Sequence, residues 1–361
     1  MFKKIDPDSE TQIPSPLDLF VSKPVNVAFQ DTNIVEYSPL NSNGAVPIRF
    51  SINSGSTYLD LSQRRLGIET SRNFDDLELG GFAEDDETTQ TSGVGFEKRR
   101  NNFIINSEFN TIAHLDVDFF KQKKFLLNET LIDIELTPNN TDFMLIVQDK
   151  TTYSLAIIDY KLYVKQHHIL PQIDEQIQIS LKTDSLAKYP YTRNIVNTHY
   201  ISSGRYDYKA TLFNDFIPKR IFVALVDGKA FNGTLNTSPF EFKQFNIQNI
   251  HISANGKLMP NYPYDLDKHD FSRCFKDLVE TTENTGLSYE EYLTHTCIFA
   301  FDFQSHPLKN VSELQRIGTT ALSIKFSKAV PIHGIQVIVY TEFDSLIAFD
   351  YSRNMTTSFP V

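Results

Sequence analysis

Four places in the chain hold residue types able to do chemistry: His114-Leu115-Asp116-Val117-Asp118, His167-His168, Asp227-Gly228, and the cysteines Cys274 and Cys297. Alternate residues of a strand project from one face, so His114, Asp116 and Asp118 would offer an imidazole and two carboxylates to one cation. The same alternation describes any solvent-facing strand edge. Nothing nearby in sequence supplies the set of about six oxygen ligands that a hard cation takes. His167 and His168 point to opposite faces of an extended chain, cannot chelate together, and read as surface. Asp227-Gly228 reads as a turn that carries a carboxylate. Cys274 falls with Phe271, Phe275 and Leu278 at helical spacing and reads as a small core residue rather than a reactive thiol. No catalytic, cofactor-binding or metal residue is assigned, and no cofactor is expected.

The 361 residues contain no phosphate-cradling glycine loop, no GxSxG elbow and no HExxH helix. Two cysteines cannot build a disulfide framework, and no CxxC pair or Cys/His cluster suggests zinc, so reduced, intracellular folding is expected. Asn128-Glu129-Thr130 and Asn232-Gly233-Thr234 match the glycosylation triplet but read as chance matches in a chain that is not secreted. A formal net charge of -11 opposes nonspecific attraction to nucleic acid. Lys98-Arg99-Arg100 and the trio Lys121, Lys123 and Lys124 leave room for a limited phosphate contact; solvated surface or a subunit contact is the preferred reading. The first ten residues lack an apolar signal core, and no apolar run approaches the roughly 18 residues of a spanning helix.

The elements that would position any site are strands. Ile250, Ile252 and Ala254 alternate with His251 and Ser253 before Asn255-Gly256 reverses the chain, which is the pattern of a β-hairpin. Leu131 to Leu136 sets Ile132, Ile134 and Leu136 on one face, with Asp133 and Glu135 on the other. Short strands are expected at residues 47–52 and 56–61 around an Asn53-Ser54-Gly55 turn, and further ones at 143–147, 153–164, 221–226, 298–303, 322–326 and 335–340. Helical signals are few: residues 271–279, and a Ser288/Glu291 capping box before a short second turn. Residues 1–24, with Pro7, Pro14, Pro16 and Pro24, read as an extended N-terminal arm. Residues 64–95, polar and rich in Asp and Glu, read as a disordered loop. With 40% apolar content, 29 Phe and 16 Tyr, the chain can fill substantial cores. The expected division is a first β-rich unit over 25–150 and a second over 151–361. An all-β sandwich can also bind or hydrolyse sugars, but 0 Trp removes the residue that most often supplies a stacking face.

Residues 218–233 (PKRIFVALVDGKAFNG), 239–260 (PFEFKQFNIQNIHISANGKLMP), 286–303 (GLSYEEYLTHTCIFAFDF) and 337–354 (VIVYTEFDSLIAFDYSRN) together resemble the major capsid protein of Polinton or Maverick elements and adintoviruses. SPLDLF (15–20), VEYSPL (35–40), GFEKRR (95–100) and residues 125–146 extend the likeness through the first half. The resemblance implies a double jelly roll, two β-sandwiches in tandem with short helices in loops. It implies a homotrimer forming a capsomer of pseudo-hexagonal outline in an icosahedral shell, with neighbouring capsomers, penton and minor capsid proteins as partners. It implies a virion protein that is made inside the cell and is no enzyme. This chain departs from the pattern at one place. The family's first sandwich continues beyond the strand matching residues 56–63 into further strands, including a hairpin that is the counterpart of residues 250–260. Here the polar 64–95 stretch follows directly, so the first roll is expected to be incomplete. A domesticated, noncapsid interaction protein, or another virion β-sandwich, is the alternative reading.

Overall fold

The computed structural model describes residues 28–41, 46–67, 112–140, 158–183, 186–234, 237–266, 271–282, 286–304 and 316–357, together with positions 97, 101 and 143. The expected arm at 1–24, the basic triplet at 98–100, most of the 64–95 loop and nearly all of the strand expected at 143–147 lie outside the described residues.

The second half holds eight strands in succession: β7 (Ala187–Ile201), β8 (Asp207–Phe213), β9 (Arg220–Asp227), β10 (Ile247–Ala254), β11 (Lys257–Asp265), β12 (Ile298–Asp302), β13 (Thr320–Phe326) and β14 (Ile335–Phe349). They divide into two antiparallel sheets, ordered β7-β14-β9-β12 and β8-β13-β10-β11. The first strand thus lies beside the eighth and the third beside the sixth, while the second lies beside the seventh and the fourth beside the fifth. That order defines a jelly roll. A short strand β15 (Met355–Thr357) turns back onto the end of β14.

Period-two alternation explains why these segments are strands. On β14, Ile335, Val337 and Val339 point inward and are wholly buried, while Gln336, Ile338 and Tyr340 face outward. They meet Ile250 and Ile252 of β10 and Leu322, Ile324 and Phe326 of β13 in one apolar cluster. Thr341 continues the inward face; its hydroxyl is satisfied by donating to the Ile195 carbonyl at 2.9 Å. The β10–β11 turn uses left-handed Asn255 (φ 48°) and Gly256 (φ 80°), the residues such a hairpin needs. The Asn255 side chain then donates to the Ile317 carbonyl and accepts from the Thr319 N–H at 3.1 and 3.0 Å, tying the turn to the start of β13.

Two helices fill the long excursion between β11 and β12: α2 (Ser272–Thr282) and α3 (Tyr289–Thr294). In α3 the expected capping box is present, Ser288 and Glu291 each accepting from the other's backbone N–H.

Among the described residues the first half repeats the order of the second with two strands fewer. Its strands are β1 (Phe29–Tyr37), β2 (Ile48–Asn53), β3 (Tyr58–Gly67), β4 (Ile112–Ala113), β5 (Leu131–Leu136) and β6 (Leu162–Ile169), forming sheets β1-β6-β3-β4 and β2-β5. Superposing the orders strand for strand leaves β10 and β11 without counterparts among the described residues. The protein is therefore an all-β double jelly roll with short helices in its connections, and six strands of its first roll stand among the described residues. β3 runs to Gly67, so the strand penetrates the segment expected to be a loop from residue 64.

The division expected between residues 150 and 151 moves later. β6 follows that point yet pairs with β1 and β3, because the last strand of a jelly roll returns to lie between its first and third. The connection to the second roll is α1 (Pro171–Lys182), a helix missing from the expectations. Its signals are Pro171 at the first helical position and Ile173, Ile177 and Leu181 at intervals of four.

Candidate assembly site

The sequence candidates do not converge. Residues 114–117 are not strand, and Asp118 opens a 3-10 turn, so the alternation that would have aligned three ligands is lost. Asp116 instead pairs with Lys121 at 2.8 Å, and Asp118 accepts from the Asn194 backbone N–H at 2.7 Å and from its side-chain amide. Among the described residues no group of three His, Cys, Asp or Glu is placed to hold a metal.

His167 is not at the surface: it is buried, while its neighbour His168 is half-buried. Sequence reasoning placed the pair on opposite faces but could not see that Phe29 and Phe125 pack against the His167 ring. Cys274 and Cys297 are free and fully buried, and burial pushes both thiols far above their ordinary range, that of Cys297 to about 12. Asp227 accepts from the Lys229 N–H at 2.8 Å as a turn residue. Gly228 there lies against the His333 carbonyl, where a Cβ has no room.

The residues that do converge were not singled out by their types. They join the two rolls. Arg353, in the turn after β14 and itself left-handed (φ 65°), donates through Nε to the Asn128 carbonyl at 2.9 Å and through Nη2 to Asn128 Oδ1 at 2.6 Å. Asn128 belongs to the first roll, where it is buried; it also donates to Asp174 of α1 at 3.2 Å. Asp174 accepts from the Tyr58 hydroxyl at 2.6 Å and from Gln178 at 3.3 Å. Burial, and then that bond to Asp174, raises the Tyr58 phenol far above its ordinary value, so it acts as a fixed donor. First roll, connecting helix and second roll thus share one polar network at a place where each group has a partner. The Asn128 triplet is structural.

Apolar contacts reinforce the joint. β7 and β14 extend beyond their own sandwich, so Tyr189 enters the core of the first roll together with Phe349 and Ala187. Tyr189 packs edge-on against Phe119 and Phe349, with centroids 6.0 and 5.8 Å apart, and donates to the Phe125 carbonyl at 3.0 Å. Lys124 donates to the Lys188 carbonyl at 2.8 Å, and Gln122 to the Pro190 carbonyl. On the outer face of β9 and β14, Lys219 pairs with Asp344 at 3.2 Å and Arg220 with Glu342 at 3.5 Å. Burial raises the Glu342 carboxyl despite the opposing pull of Arg220, Lys219 and Lys121.

The sheet edges differ in how they meet solvent. β11 carries Pro260 and Pro263, and its Tyr262 carbonyl accepts from Arg273 at 2.8 Å, so this edge is closed to a further strand. β5 is the contrast. Its counterpart β13 has strands on both sides and inward residues Leu322, Ile324 and Phe326 only 1–3% exposed. Among the described residues β5 is paired on one side alone; only Ile134 is buried, Ile132 and Leu136 are half-buried, and Leu131 is 65% exposed.

No family model matches the chain. It is 26% identical over 292 residues to an uncharacterized protein of Caenorhabditis elegans, F54H12.2, covering 77% of this chain and 69% of that protein. Among solved structures, a chain of the Sputnik virophage superposes with a TM-score of 0.62 at 12% identity, covering 98% of this chain and 93% of its own. A PBCV-1 VP54 chain fitted into a reconstruction of Sputnik gives a TM-score of 0.54 at 10% identity, covering 94% of this chain and 99% of its own. A chain of the PBCV-1 virus capsid gives 0.53 at 10% identity, covering 95% and 100%. At these identities the likeness is one of fold, and that fold is shared with chains of the Sputnik virophage and of the PBCV-1 virus capsid.

Proposed function

We propose that this protein is a structural capsid subunit, three copies of which form a capsomer of pseudo-hexagonal outline within an icosahedral shell. The observation that carries the reading is the repetition of one strand order in two rolls held by a buried polar joint. Two like rolls at fixed orientation per chain let three chains present six similar corners, and closed symmetric assemblies cover edges that a single chain exposes. The fold shared with viral major capsid proteins supports it. On this reading the protein is a virion component that carries no catalytic step, its partners are its own copies with penton and minor capsid proteins, and its source is an element of the Polinton or adintovirus kind. Light scattering on the purified protein should give a trimer with more than about 2,000 Å² buried between subunits, and negative-stain images should show hexagonal outlines. A stable monomer at micromolar concentration would overturn the reading.

A second reading, an interaction protein that no longer builds shells, is favoured by one observation, the relative in a nematode. Trimers that never add to one another under any assembly condition would select it.

A further inference from the structure

His167 lies in the middle of the first roll's larger sheet, with Thr32 of β1 directly opposite on one side and Tyr58 of β3 on the other. The residue is 5% exposed, and its ring lies against those of Phe29 and Phe125 at centroid distances of 4.8 and 4.6 Å. Thr32 Oγ1 is 2.9 Å from Nδ1. Nε2 makes no hydrogen bond; the nearest carboxylate oxygen, on Asp60, stands 3.7 Å away. We propose that His167 is an acid-sensitive latch, and that proton uptake by its ring releases β1 from the edge of the sheet.

The neutral ring suits this pocket. Thr32 Oγ1 shares a hydrogen bond with Nδ1, the hydroxyl able to serve either neutral tautomer, and two phenyl rings lie against the imidazole. The charged ring has two N–H donors to satisfy and a charge to solvate, with Asp60 beyond hydrogen-bond reach. The charged groups acting on it are Asp60 from β3, which favours the cation, and Lys165 on β6, which opposes it. On β1, Asp31 accepts from the Thr32 N–H and from Asn33. On the loop that brings Phe125, the Lys124 ammonium donates to the Lys188 carbonyl. Burial is the largest influence and holds the imidazole below its ordinary value.

Water reaches the ring most easily where β1 covers it. Among the described residues β1 pairs with β6 alone, and residues 30–34 are all exposed, so opening there disturbs little of the core. The sign follows from linkage. The closed form prefers the neutral ring, whereas the open form has a hydrated ring of ordinary basicity. As pH falls through about 6.5, the open form takes up the proton first and gains population.

Amide exchange of residues 29–37, corrected for intrinsic rate and followed between about pH 7.5 and about pH 5, tests this. Protection of β1 should fall by up to about tenfold per pH unit below about 6.5, where the open form begins to take up its proton. His167→Gln should abolish that dependence in β1 and leave the acid response of β14 as in wild type, and Lys165→Gln, which raises the value of the closed form, should make the fall level off at a higher pH with a smaller total change. The proposal is overturned if wild-type β1 shows no such fall, if His167→Gln falls like wild type, or if His167→Gln changes β14 as much as β1. Should His167→Gln not fold, an unchanged extent of the fall in Lys165→Gln overturns it.

Discussion

Arg353 and Asn128 are 225 positions apart and meet through two hydrogen bonds, to the Asn128 carbonyl and to its side-chain oxygen. The guanidinium is 10% exposed and also reaches Gln178 Oε1 at 3.3 Å and the Tyr351 carbonyl at 2.9 Å. This one side chain therefore ties the end of the second roll to the first roll and to the helix between them.

Arg353→Ala should lower unfolding stability by about 2–3 kcal/mol, because the buried Asn128 loses the donor to its carbonyl and one of the two donors to its side-chain oxygen. Arg353→Lys should recover less than half of that, since an ammonium cannot reproduce the forked geometry. Urea unfolding of both variants checks the numbers. If Arg353→Ala unfolds with the wild-type midpoint, the network is not what holds the rolls together.

The core of the second roll rests on its aromatic residues. Phe301 is 1% exposed and packs on Tyr264 at 6.0 Å, so Phe301→Ala should cost about 3–5 kcal/mol. Ile34→Ala, on the exposed edge strand β1, should stay within about 0.5 kcal/mol of wild type. Calorimetric melting of the two variants side by side separates core from surface.

Acid should weaken the second roll as well. Burial lowers the basicity of His199 and His251, and in His251 the charge of Lys209 adds to it. A histidine whose folded-state value is depressed contributes full stability above its unfolded value, and that stability declines as pH falls through about 6.5. The melting temperature should therefore drop between about pH 7.5 and about pH 5, and a double His199→Gln/His251→Gln variant should show a shallower drop. An equal slope in the variant would assign the acid sensitivity to other groups.

The side of β5 that is unpaired among the described residues should behave as an association edge. Leu131→Lys places a charge where the strand is 65% exposed and where like chains would otherwise pair. Turbidity during mild heating should fall, with little change in the unfolding midpoint. Unchanged turbidity would place the sticky surface elsewhere.

Both thiols should be silent in the native protein. Cys274 and Cys297 are buried in the cluster formed with Tyr292, Phe271 and Phe299, and their thiolates are suppressed. A chromogenic thiol reagent should label neither until denaturant is added; rapid labelling of the folded protein would show that α2 opens.

What the sequence by itself determined is which face of each segment is apolar and where the chain turns. Ile250 to Gly256 is legible as half a hairpin, Ile132, Ile134 and Leu136 as one face of a strand, and Ser288 with Glu291 as a helix start, because each is written in residues two to four positions apart. What only the tertiary structure decided is partnership across distance: that β6 closes the first roll after residue 150, that His167 is enclosed by Phe29 and Phe125, and that Arg353 finds Asn128. Strand pairing and buried polar contacts join residues dozens to hundreds of positions apart, and local periodicity carries no information about which of several apolar faces will meet.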